Sequence, residues 1–370
     1  MRVNRLILKN FRNYEEQTVE FSPSTNIILG NNANGKTNIL EAVYLFAHGK
    51  SHRAKQDSEM INFGSKTAAV TLEFENSQRS YTAVMKLSRG GKKLVTVNNV
   101  PITKLSRLMS YMKVVMFSPD DLSLVKGSPS GRRKFIDAAI CRMYPSYMSA
   151  LSEYQKAASE KNTLLKSLKK SGAQSDPYLS VWNDRLAETA EKIMQHRRDF
   201  ISELAELCRA VGADISGEKL TVSYEPNLPV ENKKDIFEFL EKNQRSEIFA
   251  SAMRHGIQRD DISVLIGELD ARIYASQGQQ RTCALAMKIA EADYIFAKTG
   301  EYPVLLLDDI LSELDINRRM YLWERIIGKQ VLITCTDMDF FENRHGAKLF
   351  YVQNNKIEDR GINDVSSSGK

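Results

Sequence analysis

The chain has 370 residues, 42% of them hydrophobic and 26% charged, with a formal net charge of +6. That length supplies ample core for one large domain or two ordinary ones. No run of about 18 apolar residues exists to form a transmembrane helix, and Met1-Arg-Val-Asn-Arg-Leu-Ile-Leu-Lys-Asn has no signal-peptide core. Cys141, Cys208, Cys283 and Cys335 are scattered without a CxxC pair and histidine is scarce, so a cytoplasmic protein without disulfides or zinc is expected. The modest positive charge permits a polyanionic partner without demanding one.

The first hundred residues read mostly as strands. Val3–Leu8 is a short segment with β-branched and aliphatic residues, and Thr25–Leu29, carrying Ile27-Ile28-Leu29, reads as a buried strand. Next comes Gly30-Asn31-Asn32-Ala33-Asn34-Gly35-Lys36-Thr37, a GxxxxGK[ST] octet, and a helical stretch through Ala47. Strand before and helix after is the setting in which such a loop turns backbone N–H groups inward to cradle a polyphosphate. Gly30 and Gly35 supply backbone freedom. Lys36 can reach the β- and γ-phosphates, and the Thr37 hydroxyl can hold Mg²⁺. A nucleotide polyphosphate with Mg²⁺ is therefore the expected ligand. Further strands are expected at Ala69–Phe74, Tyr81–Leu87, Leu94–Val97 and Val114–Phe117, with a hairpin turn at Arg89–Lys93.

The texture then becomes helical. Helices are predicted from Tyr147 to about Leu168 and from about Leu179 to Val211, broken by Ser171-Gly172 and Pro177. Leu179, Leu186, Ile193, Phe200 and Leu207 recur every seventh residue, which keeps one stripe toward a partner helix. An antiparallel hairpin with arms of roughly 30–50 Å and a pair of core helices in a bundle both fit. A strand (Leu220–Tyr224) and a helix (Asp235 to about Met253) complete this section.

The last third is α/β again. Ser276-Gln-Gly278-Gln279-Gln280 opens a helix from about Arg281 to Ala297. A hydroxyl, a Gly and a helix N-terminus make a second phosphate-binding apparatus. Val304–Leu307 is an apolar strand ending in Asp308-Asp309. In phosphate-loop proteins such an Asp holds the Mg²⁺ that the loop hydroxyl also touches, and Asp309 is placed to orient the attacking water. Ser312-Glu-Leu-Asp315, a helix around Asn317–Ile327, the strand Val331–Thr334 and Thr334-Cys-Thr336-Asp337 follow. Basic clusters at Arg132-Arg133-Lys134, Arg53/Lys55 and Lys92-Lys93 are candidates for backbone-phosphate contacts to a nucleic acid, should one be the partner, without sequence preference, solvated surface charge being the plain alternative.

This order of motifs resembles the ABC-type ATPases with SMC-like heads, departing from their pattern where Asp309 replaces the usual Glu and Thr336 the usual His. Asn10-Phe-Arg12-Asn-Tyr14, Phe117-Ser-Pro-Asp-Asp-Leu122, Val125-Lys-Gly-Ser-Pro129, Arg259-Asp-Asp261 and Ser276–Arg281 together resemble the RecF family of bacterial recombination mediators, with Gln258 where its pattern has His. The resemblance implies an α/β ATPase head, a P-loop mixed sheet with an antiparallel β subdomain, built from 1–128 and 257–358. It also implies an inserted, mainly helical lobe at 129–256, and 359–370 read as a disordered tail. It implies nucleotide contacts from Arg12, Gly30 through Thr37, Ser276, Gly278 and Gln279, with turnover by Lys36, Asp308, Asp309, Ser276 and Thr336. Thr37 and Asp308 would hold the metal, and Arg132, Arg133 and Lys134 would meet DNA. The implied activity is an ATP-driven homodimer that clamps single-stranded or junction DNA and is released by slow, DNA-stimulated hydrolysis. It would act in gap repair, replication restart and SOS induction, cooperating with RecR and RecO to help load RecA. A transporter-type ABC subunit and an ATP-binding scaffold without turnover are the rival readings.

Overall fold

The computed structural model describes residues 1–341 and 346–362. The chain divides into two compact units, one formed by Met1–Asp121 with the chain from Ala284 onward, the other by Leu122–Cys283. Among the described residues no helix is long and apolar enough to cross a membrane.

The first unit holds two six-stranded sheets. One runs in the order Lys356–Ile362, Lys348–Gln353, Thr25–Leu29, Val331–Cys335, Val304–Asp308, Val114–Phe117. Its strands pair in parallel except for the hairpin at the Lys356–Ile362 edge. Val114–Phe117, Val304–Leu307 and Val331–Cys335 are buried at every position, which is why they read as unbroken apolar runs. The other sheet is antiparallel, ordered Tyr14–Glu20, Arg2–Phe11, Thr67–Glu75, Ser80–Ser88, Leu94–Val97, Val100–Pro101. Here side chains alternate: Tyr81, Ala83, Met85 and Leu87 point inward while Thr82 and Lys86 face solvent. The inward set shares one apolar core with Ile39, Leu40, Val43 and Phe46 of the helix Lys36–His48.

Four strands of this unit went unread in the sequence: Tyr14–Glu20, Val100–Pro101, Lys348–Gln353 and Lys356–Ile362. Tyr14–Glu20 is largely polar because it is a sheet edge. The hairpin of Lys348–Gln353 and Lys356–Ile362 overturns part of the expected tail. Asp359 pairs opposite Phe350, its carboxylate meets Lys348 at 2.7 Å, and its side chain accepts from the Gly361 N–H. The remainder of that tail, 363–370, lies outside the described residues.

The second unit is built on the helices Pro129–Met143, Pro145–Ser171, Pro177–Ser216 and Lys233–Ala250 and a three-stranded sheet, Leu269–Asp270, Asp261–Ile266, Leu220–Glu225. The first three helices each open with proline in the first turn, where its missing N–H costs no hydrogen bond. Asp176 caps the longest by accepting from the Tyr178 N–H at 2.7 Å. The unit is wider than the expected 129–256 because Asp261–Ile266 pairs along its length with Leu220–Glu225. The seven-residue stripe is buried at Leu179, Leu186, Ile193 and Phe200, then passes to Leu204, Cys208 and Val211. A straight helix drifts by about 20° per heptad, so a run this long changes its core-facing positions. The helix continues past the expected stop at Val211 to Ser216, where Gly217 at φ 71° caps it; Gly212 inside it serves close packing, since a Cβ there would come within 2.9 Å of the Leu220 Cβ.

Arg197, 1% exposed, ties this unit together. It donates to Asp260 at 2.7 Å, to Asp137 at 2.8 Å and to the Ile257 carbonyl at 2.8 Å. Asp260 also accepts from the Tyr224 hydroxyl and the Asn227 N–H. Removing one member of a buried ionic set leaves its partners uncompensated. Arg197→Ala is therefore expected to cost about 3–5 kcal/mol, seen as a fall in the urea midpoint of the full chain. An unchanged midpoint would show that the network does not hold the fold.

Candidate functional site

The phosphate loop lies at the carboxyl end of Thr25–Leu29, where parallel sheets place their ligand crevices. Ala33 (φ 68°) and Gly35 (φ 102°) take left-handed backbone, the alternation that turns successive N–H groups to one side. The helix begins at Lys36 directly behind Gly35. Gly30 is required by packing: a Cβ there would sit 2.4 Å from the Val352 carbonyl oxygen. Asn34 donates to that same carbonyl at 3.2 Å. The Lys36 ammonium donates to the carbonyls of Gly30 (2.6 Å) and Asn31 (3.1 Å). Burial lowers its pKa, opposed by the charges of Asp309, Cys335 and Asp308. Asn32 is an exposed residue of the same loop.

Asp308 ends its strand beside this loop. One carboxylate oxygen accepts from the Thr37 hydroxyl at 2.8 Å and from the Thr334 hydroxyl at 2.8 Å. Thr334 also accepts from the Asp309 N–H at 3.0 Å, fixing Asp309 in a left-handed conformation (φ 52°) that few non-glycine residues adopt. Burial raises the Asp309 pKa, Lys36 opposes this, and Asp308, Glu313 and Asp337 add to it. A hydroxyl and a single carboxylate are what Mg²⁺ takes from a protein when phosphate oxygens and water complete its shell. Among the described residues no group of three His, Cys, Asp or Glu forms a metal cage. Thr336 lies one residue past the end of its strand, exposed, its hydroxyl 3.4 Å from Asp337.

The N-terminal hairpin braces the loop from a second side. Asn13 donates to the Asn34 carbonyl at 3.1 Å and Tyr14 to the Gly35 carbonyl at 3.1 Å. Arg12, at the hairpin tip, is engaged through Nε and Nη2 with Glu41 at 2.8 and 2.7 Å, and through Nη1 with the Glu59 carbonyl. Its guanidinium is thus held by a carboxylate of the loop helix. Glu41 is fully buried and accepts further from Arg53 at 3.0 Å and from Ser51. Burial pushes its pKa up, but the hydrogen bonds of Arg12 and Ser51 and the charge of Arg53 outweigh that and hold it below the ordinary value. Sequence reasoning passed over Glu41, although a lone acid inside Ile39-Leu40-Glu41-Ala42-Val43 is a readable signal.

Ser276 belongs to the other unit, where it precedes the helix Gln277–Thr299. It caps that helix reciprocally: the Gln279 N–H donates to its hydroxyl at 3.3 Å, and its own N–H donates to the Gln279 side chain at 2.8 Å. Gln279 also donates to Glu218 at 2.6 Å. Ser276 is exposed and Gly278 half-buried.

The basic triplet separates on inspection. Arg132 is 3% exposed, bound through Nε and Nη2 to Asp261 at 2.7 Å and through Nη1 to the Gly127 carbonyl at 2.8 Å, so it is a structural cation rather than an exposed phosphate contact. Arg133 donates to the Asp260 carbonyl at 2.7 Å, and only Lys134 stands exposed. Gln258 accepts from the Tyr154 hydroxyl at 2.6 Å and donates to the His255 carbonyl at 3.0 Å, an internal bracing role. Lys93 is likewise engaged, with Gly49 and Asp57.

The two-arginine clamp generates a pH-dependent expectation. Glu41→Gln should destabilise the chain by about 1.5–3 kcal/mol at neutral pH, the worth of hydrogen bonds to a charged group. Because the folded pKa lies below the ordinary 4.5, the carboxylate's contribution is complete above that value and is lost as pH falls through the folded pKa. Urea titrations of both chains should therefore draw together as pH falls below 4.5. A gap that stays constant from neutral pH down through the acid range would rule the clamp out as its source.

Residues 2–359 match the family model described as the RecF/RecN/SMC N terminal domain. The DNA replication and repair protein RecF of Acetivibrio thermocellus is 39% identical over 362 residues, covering 95% of this chain and 98% of that protein. The solved structure of the recombination mediator protein RecF-ATPrS in the RecFOR pathway superposes with a TM-score of 0.91 at 31% identity, covering 97% of this chain and 98% of that one. The corresponding RecF-ATP structure gives 0.90 at 31% identity, covering 96% and 97%. Matched in sequence and in fold along nearly its whole length, the chain belongs to the RecF family of DNA replication and repair proteins.

Proposed function

We propose that this chain is an ATP-dependent DNA-binding switch of recombinational gap repair and replication restart, contributing to SOS induction. The observation that carries the reading is the convergence of Thr37 and Thr334 on one oxygen of Asp308, beside Lys36. Lys36 and the loop N–H groups would hold the β- and γ-phosphates of ATP, and Thr37 with Asp308 would hold Mg²⁺. When bound, that ion neutralises charge between the β- and γ-phosphates. Asp309, fixed through Thr334, would orient water, while Thr336 would sense the γ-phosphate. The two solved relatives, described as RecF-ATP and RecF-ATPrS, support the choice of nucleotide.

Ser276, Gly278 and Gln279 would close over the nucleotide of a second copy, so that ATP joins two chains and its γ-phosphate decides whether they stay joined. A carboxylate one methylene shorter than Glu seats water less well, and turnover should fall below the usual range of about 1–1,000 s⁻¹. The DNA held would be single-stranded or a junction, and RecR and RecO, with RecA downstream, are the partners the family assignment suggests.

Sedimentation of the pure chain should show a single copy without nucleotide and a pair with ATP. One species at every ATP concentration would overturn the switch. Lys36→Arg should keep the fold but lower ATP turnover about 100-fold or more. Normal hydrolysis by that variant would refute the role given to the loop.

A further inference from the structure

Phe63 is 99% exposed, the most solvent-bared large apolar side chain among the described residues. It stands on a tight turn, Asn62-Phe63-Gly64-Ser65, closed by the Ser65 N–H donating to the Asn62 carbonyl at 3.0 Å, with Gly64 at φ 90°. That is a type II turn, in which the residue after the first contributes only its backbone. The turn is firmly held. The Asn62 N–H donates to the Asn10 carbonyl and its side chain to the Arg12 carbonyl, both at 2.8 Å. Arg89 donates to the Ser65 carbonyl at 2.9 Å, and Ile61, bridged to Phe11, is buried. A phenyl ring adds nothing to the stability of such a turn, and the bracing presents it to solvent in a fixed place.

The surroundings say what the ring is presented to. Residues 50–104 carry Lys50, Arg53, Lys55, Lys66, Arg79, Lys86, Arg89, Lys92, Lys93 and Lys104 against only Asp57, Glu59, Glu73 and Glu75, an excess equal to the net charge of the whole chain. Lys55, Lys66, Lys86, Arg89 and Lys92 are exposed. The two acids nearest the turn in sequence are already engaged: Asp57 meets Lys93 at 3.0 Å, and Glu59 accepts from the N–H groups of Lys55 and Gln56. Of these cations Arg89 reaches the turn itself, at the Ser65 and Asn62 carbonyls, and Lys66 follows the turn directly in sequence. A bared aromatic ring beside such a cation, in a strongly basic segment, is the chemistry that binds unpaired bases on a phosphate backbone.

We infer that Phe63 stacks on an unpaired base of DNA whose backbone lies along this basic face. The inference rests on the DNA-binding reading above and deepens it: the lysines supply affinity for any DNA, and the ring supplies a preference for unpaired strand. A ring seated in a pocket of a protein partner is the contrary possibility.

The test compares Phe63→Ala, Phe63→Trp and a combined Lys55→Ala/Lys66→Ala/Lys92→Ala chain, each with ATP, on an oligothymidine strand and on a blunt duplex. Phe63→Ala should weaken the single strand about tenfold, leaving duplex affinity and the salt dependence unchanged. Phe63→Trp should restore binding, and its indole fluorescence should be quenched by the strand and not by the duplex. The lysine variant should weaken both ligands and flatten their salt dependence. Loss in the lysine variant with no loss in Phe63→Ala overturns the stacking role alone. An unquenched indole does the same and points to a protein partner. No loss in any variant removes DNA binding from this face altogether.

Discussion

A single carboxylate oxygen organises the first unit. Asp308 ends a strand buried along its apolar length, so its side chain emerges where the core stops and solvent begins. There it accepts one hydrogen bond from the helix behind the phosphate loop and another from the neighbouring strand, through Thr37 and Thr334. Loop, helix and two strands are thereby fixed to one another by groups of the type that bind a hard cation. The same Thr334 hydroxyl receives the Asp309 N–H, so the second acid is positioned by the partner of the first.

The other side of the loop is held by a different principle. Arg12 and Arg53 converge on Glu41, a carboxylate with no solvent exposure of its own. A buried acid would normally be driven toward its neutral form, and here two guanidinium groups keep it ionised. The hairpin tip bearing Arg12 contributes Asn13 and Tyr14 to the loop carbonyls and, through the Arg12 and Asn10 carbonyls, anchors the turn that carries Phe63. Nucleotide loop and basic face therefore share one support. Coupling between them needs no long wire, since a single hairpin touches both.

The sequence made the local chemistry legible and hid the long-range packing. GNNANGKT, the strand before it and the paired aspartates could be read because each is a short segment whose residue types have one economical use. Val114–Phe117 and Thr25–Leu29 were read to the residue because the first is apolar throughout, as buried parallel strands are, and the second runs through Ile27-Ile28-Leu29 straight into the loop. Tyr14–Glu20 was not, since an edge strand keeps polar side chains on both faces. The requirement for glycine at position 30 depends on the Val352 carbonyl, more than three hundred residues away in sequence, and no local pattern encodes it. Arg132 misled for the opposite reason: a basic triplet looks like a surface patch until Asp261 is found to hold its first member. The wider second unit was missed because strand pairing between Leu220–Glu225 and Asp261–Ile266 joins segments that a linear reading assigned to different domains.

The cap at the start of the helix Gln277–Thr299 leaves Ser276 with something to give. Its oxygen uses a lone pair to receive the Gln279 amide, while a serine hydroxyl carries one proton and two lone pairs. The O–H is not consumed by the turn. An incoming oxyanion can accept that proton without unwinding anything, and the helix end keeps its own satisfaction throughout. Docking at this position would therefore be reversible at small structural cost, with the serine serving both its own backbone and a visitor.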